Sequence, residues 1–297
     1  MTTAQQPDTT TEPTRAPQLL GHVKSWVNPV EPFHIVGPIY YVGTRGLAAY
    51  LIATREGHIL LDGGVPRSAA MFDESIRKLG FRPEDIRLLL ITHAHIDHAG
   101  TTAHFKEISG ARVAVMDRDF GLLASGGKSD PAYSKRPAFY FPPVAADRTL
   151  KDGDTVSLGG VRMVARLGAG HTPGSTTWMT TVEDGGRPYR VVFPCCTGVN
   201  PGYRLVTNPT YPGIADDYRR SFQMLQSLHP DVWLPAHTQS FGFDEKRRRS
   251  VTEGVQAWVD PEGYRRWLTN EKVTFEKQLA KEVASPPDRE LHRRDRA

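Results

Sequence analysis

Three histidines and an aspartate fall within six residues of this chain, in the run Thr92-His93-Ala94-His95-Ile96-Asp97-His98. Histidine is otherwise sparse, 11 in 297 residues, so a chance cluster of surface imidazoles is a poor account of it. The run follows Arg87 to Ile91, a short apolar stretch that reads as a buried strand. A strand end that opens into a loop is where α/β proteins place reactive groups. His93 and His95 alternate by two, and Asp97 and His98 follow as the chain turns. Imidazole nitrogen and carboxylate oxygen are donors that suit zinc. Four such groups in so short a run cannot all reach one tetrahedral ion without strain, so a two-metal site with ligands from elsewhere is the natural reading. Two more histidines sit at strand ends. His171 lies in the tight turn Gly170-His171-Thr172-Pro173-Gly174-Ser175, and His237 follows the apolar strand Val232 to Leu234. A single turn histidine is more often structural; beside the first cluster, both become candidate ligands.

The rest of the chain reads as strands and helices mixed in one α/β domain. Strands are expected over Phe33 to Val42, Ala48 to Ala53, His58 to Leu61, Ala111 to Val115, and near 154–158, 161–167, 175–182 and 188–193. Helices are expected over 68–80, Thr101 to Ser109, Arg118 to Ala124, Asp216 to Leu228, about 243–257 and 261–284. Residues 126–148 form a long irregular stretch with four aromatics (Tyr133, Phe139, Tyr140, Phe141), and such loops in compact domains are usually functional. Residues 1–18, rich in Thr, Pro and Gln, are expected to be a disordered tail, 19–285 the folded domain, and 286–297 a frayed end.

Several function classes are disfavoured. Two adjacent cysteines, Cys195 and Cys196, give neither a disulfide framework nor a cysteine-based zinc finger. The net charge of +4 comes from interspersed charges, and the one tight basic run, Lys246 to Arg249, reads as a solvated helix face. Nucleic acid is therefore not expected as a partner. No apolar run reaches membrane-spanning length. The first residues lack the basic and apolar regions of a secretory signal, so the chain is expected in the cytoplasm, or in the periplasm if a leader has been removed. The expected partner is a small-molecule substrate of a monomer that binds no membrane.

His-x-His-x-Asp-His, then Gly-His-Thr-Pro-Gly-Ser, then a late strand-end His resembles the metallo-β-lactamase superfamily, over residues 25–284. Ser25-Trp26-x-x-Pro29, His98 directly after Asp97, and the stretches Asn200-Pro201-Gly202-Tyr203-Arg204-Leu205 and Asp217-Tyr218-Arg219-Arg220-Ser221-Phe222 look like subclass B3 of the true metallo-β-lactamases. Glyoxalase II and many other superfamily hydrolases carry a bridging Asp after the strand Arg190 to Phe193; here that strand runs into Pro194-Cys195-Cys196-Thr197-Gly198.

The resemblance implies an α/β fold, a four-layer αββα sandwich with two zinc ions at one edge of its inner sheets. It implies that one zinc takes His93, His95 and His171 and the other Asp97, His98 and His237. A zinc-bound hydroxide, oriented by Asp97, would open the β-lactam ring of antibiotics without a side-chain nucleophile, so Ser175 is structural. The alternative is a dizinc lactonase or thioester hydrolase of the same fold. Asp62, in Leu-Leu-Asp-Gly-Gly, matches a superfamily position behind the ligands. Trp26, Cys196, Thr197 and Asn200 are the candidate substrate contacts, with the aromatics of 133–141 as further walls. The chain departs from the family pattern where the substrate carboxylate binds. A Ser is usual there, and here the position falls on Cys196, Thr197 or Gly198, with no Lys in 196–205 and Arg204 the nearest cation. Cys196 is not expected to bind metal, since Asp97, His98 and His237 already supply three ligands. His22, His34, His58, His104, His229 and His292 are assigned no role.

Overall fold

In a computed structural model that describes residues 24–200 and 202–284, the N-terminal half of the chain builds a mixed seven-stranded sheet in sequential order. Its strands are β1 (Phe33–Val36), β2 (Ile39–Tyr41), β3 (Tyr50–Thr54), β4 (Gly57–Leu61), β5 (Ile86–Leu90), β6 (Arg112–Met116) and β7 (Arg148–Leu150). The pairings from β1 to β4 are antiparallel, and those from β4 to β7 are parallel. The second sheet has the order β12-β11-β10-β9-β8. It consists of β8 (Thr155–Leu158), β9 (Val161–Leu167), β10 (Thr176–Asp184), β11 (Arg187–Phe193) and β12 (Val232–Trp233). Only its β11–β12 pairing is parallel. The α-helices are α1 (Ala69–Lys78), α2 (Ile96–Ala99), α3 (Thr102–Ser109), α4 (Phe120–Ala124), α5 (Ile214–Gln226), α6 (Phe243–Glu253) and α7 (Pro261–Ala284). The tails expected at 1–18 and 286–297, together with His22, Pro201 and His292, lie outside the described residues.

Side-chain alternation sets the layers, because neighbouring residues of a strand face opposite ways. Leu88 and Leu90 of β5 join Ile59 and Leu61 of β4 and Trp178, Val191 and Phe193 of the second sheet in a core between the sheets. Leu89, Ile91 and Leu60 face the other way, onto Phe72 and Ile76 of α1 and Phe105 of α3. With both faces covered, β5 reads as a continuous apolar run rather than an alternating one. Helices α5 and α7 pack on each other, and α7 also contacts β12. The arrangement is the αββα sandwich that the family resemblance implies. Trp178 is fully buried and its Nε1 donates to the Ile91 carbonyl at 2.9 Å. The Thr176 N–H donates to the Thr92 carbonyl at 2.6 Å. Burying a large side chain of this kind contributes about 1.5–3 kcal/mol, and here it fixes the second sheet to the end of β5, immediately before His93.

Three expectations change. Phe33 to Val42 is a hairpin rather than one strand: Gly37 turns the chain at φ 53°, and its N–H donates to Asp184 at 2.7 Å. The end of the 126–148 loop is recruited as β7, an edge strand with no sequence signal of its own. The basic run is not wholly solvated. Phe243 and Lys246 lie on one face of α6, and Lys246 is buried with its ammonium 2.8 Å from Asp260 and 5.0 Å from the ring centre of Trp233.

Candidate metal centre

Beyond β5 the chain stays extended through His95, the N-cap of α2, and then makes the single helical turn Ile96–Ala99. The extended part projects His93 and His95, and the turn projects Asp97 and His98, so one short run serves two directions. Asp62 fixes the start of this run. Its carboxylate accepts the Thr92 N–H at 2.7 Å and the Thr92 hydroxyl at 2.9 Å. Among the described residues it is the only non-glycine at positive φ, 61°, a conformation that costs energy and persists where surrounding bonds hold it.

Asp119 is fully buried and joins the two histidine motifs, a role the sequence did not reveal. It accepts the Ala94 N–H at 3.1 Å, the Thr172 hydroxyl at 2.7 Å and the Gly174 N–H at 2.6 Å. Burial raises its pKa, partly offset by those bonds. Gly174 is required here, because a Cβ would lie 2.4 Å from the Asp119 nitrogen. The two later stretches named above hold the other side of the His171 turn. Tyr203 Oη donates to the His171 carbonyl at 3.1 Å, Ser221 to the Ala169 carbonyl at 2.6 Å, and Tyr218 to the Gly198 carbonyl at 2.9 Å.

All six predicted ligands converge. Donor atoms of His93, His95 and His171 lie within 4.8 Å of one another. On the neighbouring edge, His98 Nε2 is 3.3 Å from His237 Nε2 and 3.2 Å from Asp97 Oδ2, and His237 Nε2 is 3.6 Å from the same oxygen. The His93 and His98 rings, one from each set, are 4.3 Å apart between centres.

Hydrogen bonds on the far ring nitrogens fix which nitrogen each ring can offer a metal. His98 Nδ1 donates to Asp62 at 3.2 Å, leaving Nε2. His171 Nδ1 donates to the Gly198 carbonyl at 2.8 Å, again leaving Nε2. His95 is reversed: Nε2 donates to Asp130 at 2.9 Å, which leaves Nδ1. Asp130 is buried, and its other oxygen accepts the Ala132 and Tyr133 N–H groups at 2.6 and 2.7 Å. No sequence motif marks Asp130, which sits in the irregular 126–148 stretch.

The electrostatics favour a cation between the rings. Burial pushes His93 down and His171 down to about 3, with neighbouring histidines adding to both, so these rings are neutral donors. Burial would also lower His98, but Asp97 and the bond from Asp62 outweigh it and raise its pKa. Burial would raise Asp97, yet His98 and His237 hold it below the usual carboxylate range. Imidazole nitrogens and a carboxylate that converge on an edge where Asp97 and Asp62 favour positive charge suit a metal ion.

The centre opens into a cleft with two adjoining parts that share His171, Asn200 and His237. Trp26, Tyr133 and Phe139 line the first part, and Cys196, Thr197, Trp267 and Glu271 the second. Of the other loop aromatics, Phe141 is in the core and the Tyr140 hydroxyl donates to the Ser134 carbonyl, so neither is a wall. Arg204 donates to Thr207 and does not line the cleft. Cys195 and Cys196 are free thiols packed behind His93, with Cys196 Sγ 3.4 Å from His93 Nδ1. Its hydrogen bond with Cys195, and then burial, push the Cys196 thiol up. His34, His58 and His104 lie elsewhere: His34 bonds Gly37, His104 bonds Asp73, and His58 packs on Phe81.

Comparison with known proteins agrees with this geometry. The model of the Metallo-beta-lactamase superfamily matches residues 42–237. The native FEZ-1 metallo-beta-lactamase of Legionella gormanii is 41% identical, with 86% of this chain and 98% of that chain covered at a TM-score of 0.84. BJP-1, a subclass B3 metallo-beta-lactamase of Bradyrhizobium japonicum, is 40% identical, with 88% and 98% covered at 0.84. An acyl-coenzyme A thioesterase of Gallus gallus is 33% identical over 174 residues, 54% of this chain and 60% of that protein. An N-acyl homoserine lactonase of Bacillus cereus is 32% identical over 79 residues, 19% of this chain and 32% of that protein. The chain spans less than two thirds of the length of these curated relatives.

Proposed function

We propose, from the fact that this chain belongs to the metallo-beta-lactamase superfamily, that it is a dizinc hydrolase that opens β-lactam rings. The observation that carries this reading is the pair of donor sets, one of His93, His95 and His171 and one of Asp97, His98 and His237. The high-coverage likeness to β-lactamase structures at 40–41% identity supports β-lactams as the substrate class.

When bound, zinc supplies Lewis acidity, which makes water a nucleophile near neutral pH and stabilises charge on the substrate carbonyl. The chain's own residues do the positioning. His93, His95 and His171 would hold one ion without cancelling its charge, because imidazole ligates a metal through a neutral ring nitrogen. Asp97 is the single carboxylate among the six ligands. It would hold the second ion with His98 and His237 and accept a hydrogen bond from the attacking water, aligning it with the carbonyl carbon. Asp62, Asp130 and the Gly198 carbonyl keep three of the rings in the required tautomer. No serine or cysteine nucleophile is needed. The Ser175 hydroxyl is buried against Thr172, and Cys196 lies behind His93 rather than at the Asp97 edge.

A second reading, a dizinc lactonase or thioester hydrolase, is favoured by one observation. Among the described residues, no Lys or Arg lines either part of the cleft, whereas β-lactam antibiotics carry a carboxylate. One panel separates the readings: purified, zinc-loaded protein assayed with a chromogenic cephalosporin, a penicillin, a carbapenem, a thioester and a lactone. We expect β-lactam hydrolysis that a chelator abolishes, zinc restores and clavulanate leaves untouched, with close to two zinc ions per chain. Turnover of lactones or thioesters alone would replace the first reading with the second. Chelator-resistant turnover would refute both.

A further inference from the structure

Thr197, one of three positions on which the expected contact to a substrate carboxylate falls, already faces a carboxylate. Thr197 Oγ donates to Glu271 Oε2 at 2.8 Å, so its proton is committed and its lone pairs are what it offers the cleft. Glu271 arrives from a distant element, α7, and lines the cleft beside Thr197, Asn200 and His237. Its position is firm. One turn earlier, Trp267 stacks on Trp233 with ring centres 5.3 Å apart, and Phe275, one turn later, is buried in the main core. Among the described residues, no lysine, arginine or histidine forms an ion pair with Glu271, and none but histidine lines this end of the cleft.

We propose that Glu271 and Thr197 form a specificity element that disfavours an anionic group at this end of the cleft and favours a neutral or cationic one. The inference rests on the reading of the cleft as a hydrolase substrate site. An incoming carboxylate meets a like charge and a hydroxyl with no free proton. Turning the hydroxyl toward it would leave the Glu271 oxygen without its donor. A carbonyl-bearing neutral ester keeps the threonine bond intact, and an N–H or ammonium group gains an acceptor.

The test compares a cephalosporin with its 4-methyl ester, and a carboxylate-bearing thioester with its methyl ester. It uses the zinc-loaded wild type, Glu271→Gln, Glu271→Lys and the control Glu276→Gln on an exposed part of the same helix. Glu271→Gln keeps an acceptor for Thr197 and removes only the charge. We expect it to lower KM for the acids roughly tenfold, the scale of one like charge removed at close range. Turnover numbers should stay within about twofold, the esters should be unaffected, and the effect should shrink with added salt. Glu271→Lys should lower KM for the acids further, and Glu276→Gln should change nothing. Absence of turnover for both cephalosporins would remove the β-lactamase reading, and the thioester pair would still decide this inference. Equal changes for acid and ester, no change in either, or weaker binding of the acids in Glu271→Gln would overturn it.

Discussion

Asp130→Asn should disable the first metal set by moving one proton, with almost no change in shape. Asp130 Oδ1 accepts two buried backbone N–H groups and Oδ2 accepts His95 Nε2–H. An asparagine has one acceptor for these two places. Directing its NH2 at Ala132 and Tyr133 would orphan two buried donors at about 1–3 kcal/mol each. The amide oxygen therefore stays with the backbone, and the NH2 faces His95 Nε2. That nitrogen must then accept, which places the ring proton on Nδ1, the atom that would bind metal. Undoing this on metal binding breaks the new bond, about 0.5–1.5 kcal/mol, and the variant also lacks the charge-assisted bond that supports the ligand, about 1.5–3 kcal/mol. The sum, about 2–4.5 kcal/mol, corresponds to a loss of about 30–2000-fold in affinity, and its lower end meets the roughly 10–100-fold seen when the partner of a metal-bound histidine is removed. Competition with a chromogenic chelator reads the affinity, and nitrogen-15 NMR of the metal-free variant reads the tautomer. The unfolding free energy in urea should change by less than about 1 kcal/mol, because the backbone bonds remain. Wild-type affinity with His95 still protonated at Nε2 would refute the reasoning.

Asp97→Asn should reduce turnover at least about 100-fold at saturating zinc, the scale of losing an electrostatic contact at the reacting centre; a near wild-type rate would remove its proposed role. Cys196→Ser should retain both zinc ions and most activity, because its sulfur packs against His93 Nδ1; loss of one zinc would make it a ligand. Gly174→Ala should destabilise the fold by about 1–3 kcal/mol through the Asp119 clash, measured by urea denaturation. Gly121→Ala, with open space around its Cβ, should be neutral or slightly stabilising. In Asp217 and Asp260, burial tends to raise the carboxyl pKa, but bonds from Arg118 and Lys246 respectively outweigh it and leave both lowered. A lowered folded-state value contributes stability that is full above the unfolded value near about 4 and lost as pH falls through the folded one. Urea midpoints should therefore fall below about pH 4, and Asp217→Asn should flatten that decline.

The six candidate ligands were legible in the sequence because each sits in a short motif at a strand end, where local chain geometry decides its direction. The run Arg87 to Ile91 was legible as a buried strand because it is continuously apolar from Leu88 on, and the layers followed from the family resemblance. What only the tertiary structure decided are the contacts made by single residues across long stretches of chain. Asp119, Asp130 and Glu271 carry no local pattern. Each acts through one or two hydrogen bonds to a motif 25 to 74 residues away in sequence, and one-dimensional spacing cannot encode which carboxylate arrives there. Lys246 shows the same limit from the other side. A basic helix run reads as solvated until the neighbouring β12 brings Trp233 and the following turn brings Asp260 against it. Periodicity and turn chemistry act between near neighbours, so they marked the mixed α/β elements and the candidate ligands in the sequence, while the sandwich came from the family resemblance. The groups that orient the ligands, and those that set the charge of the cleft, depend on packing between distant segments, and only folding brings them together.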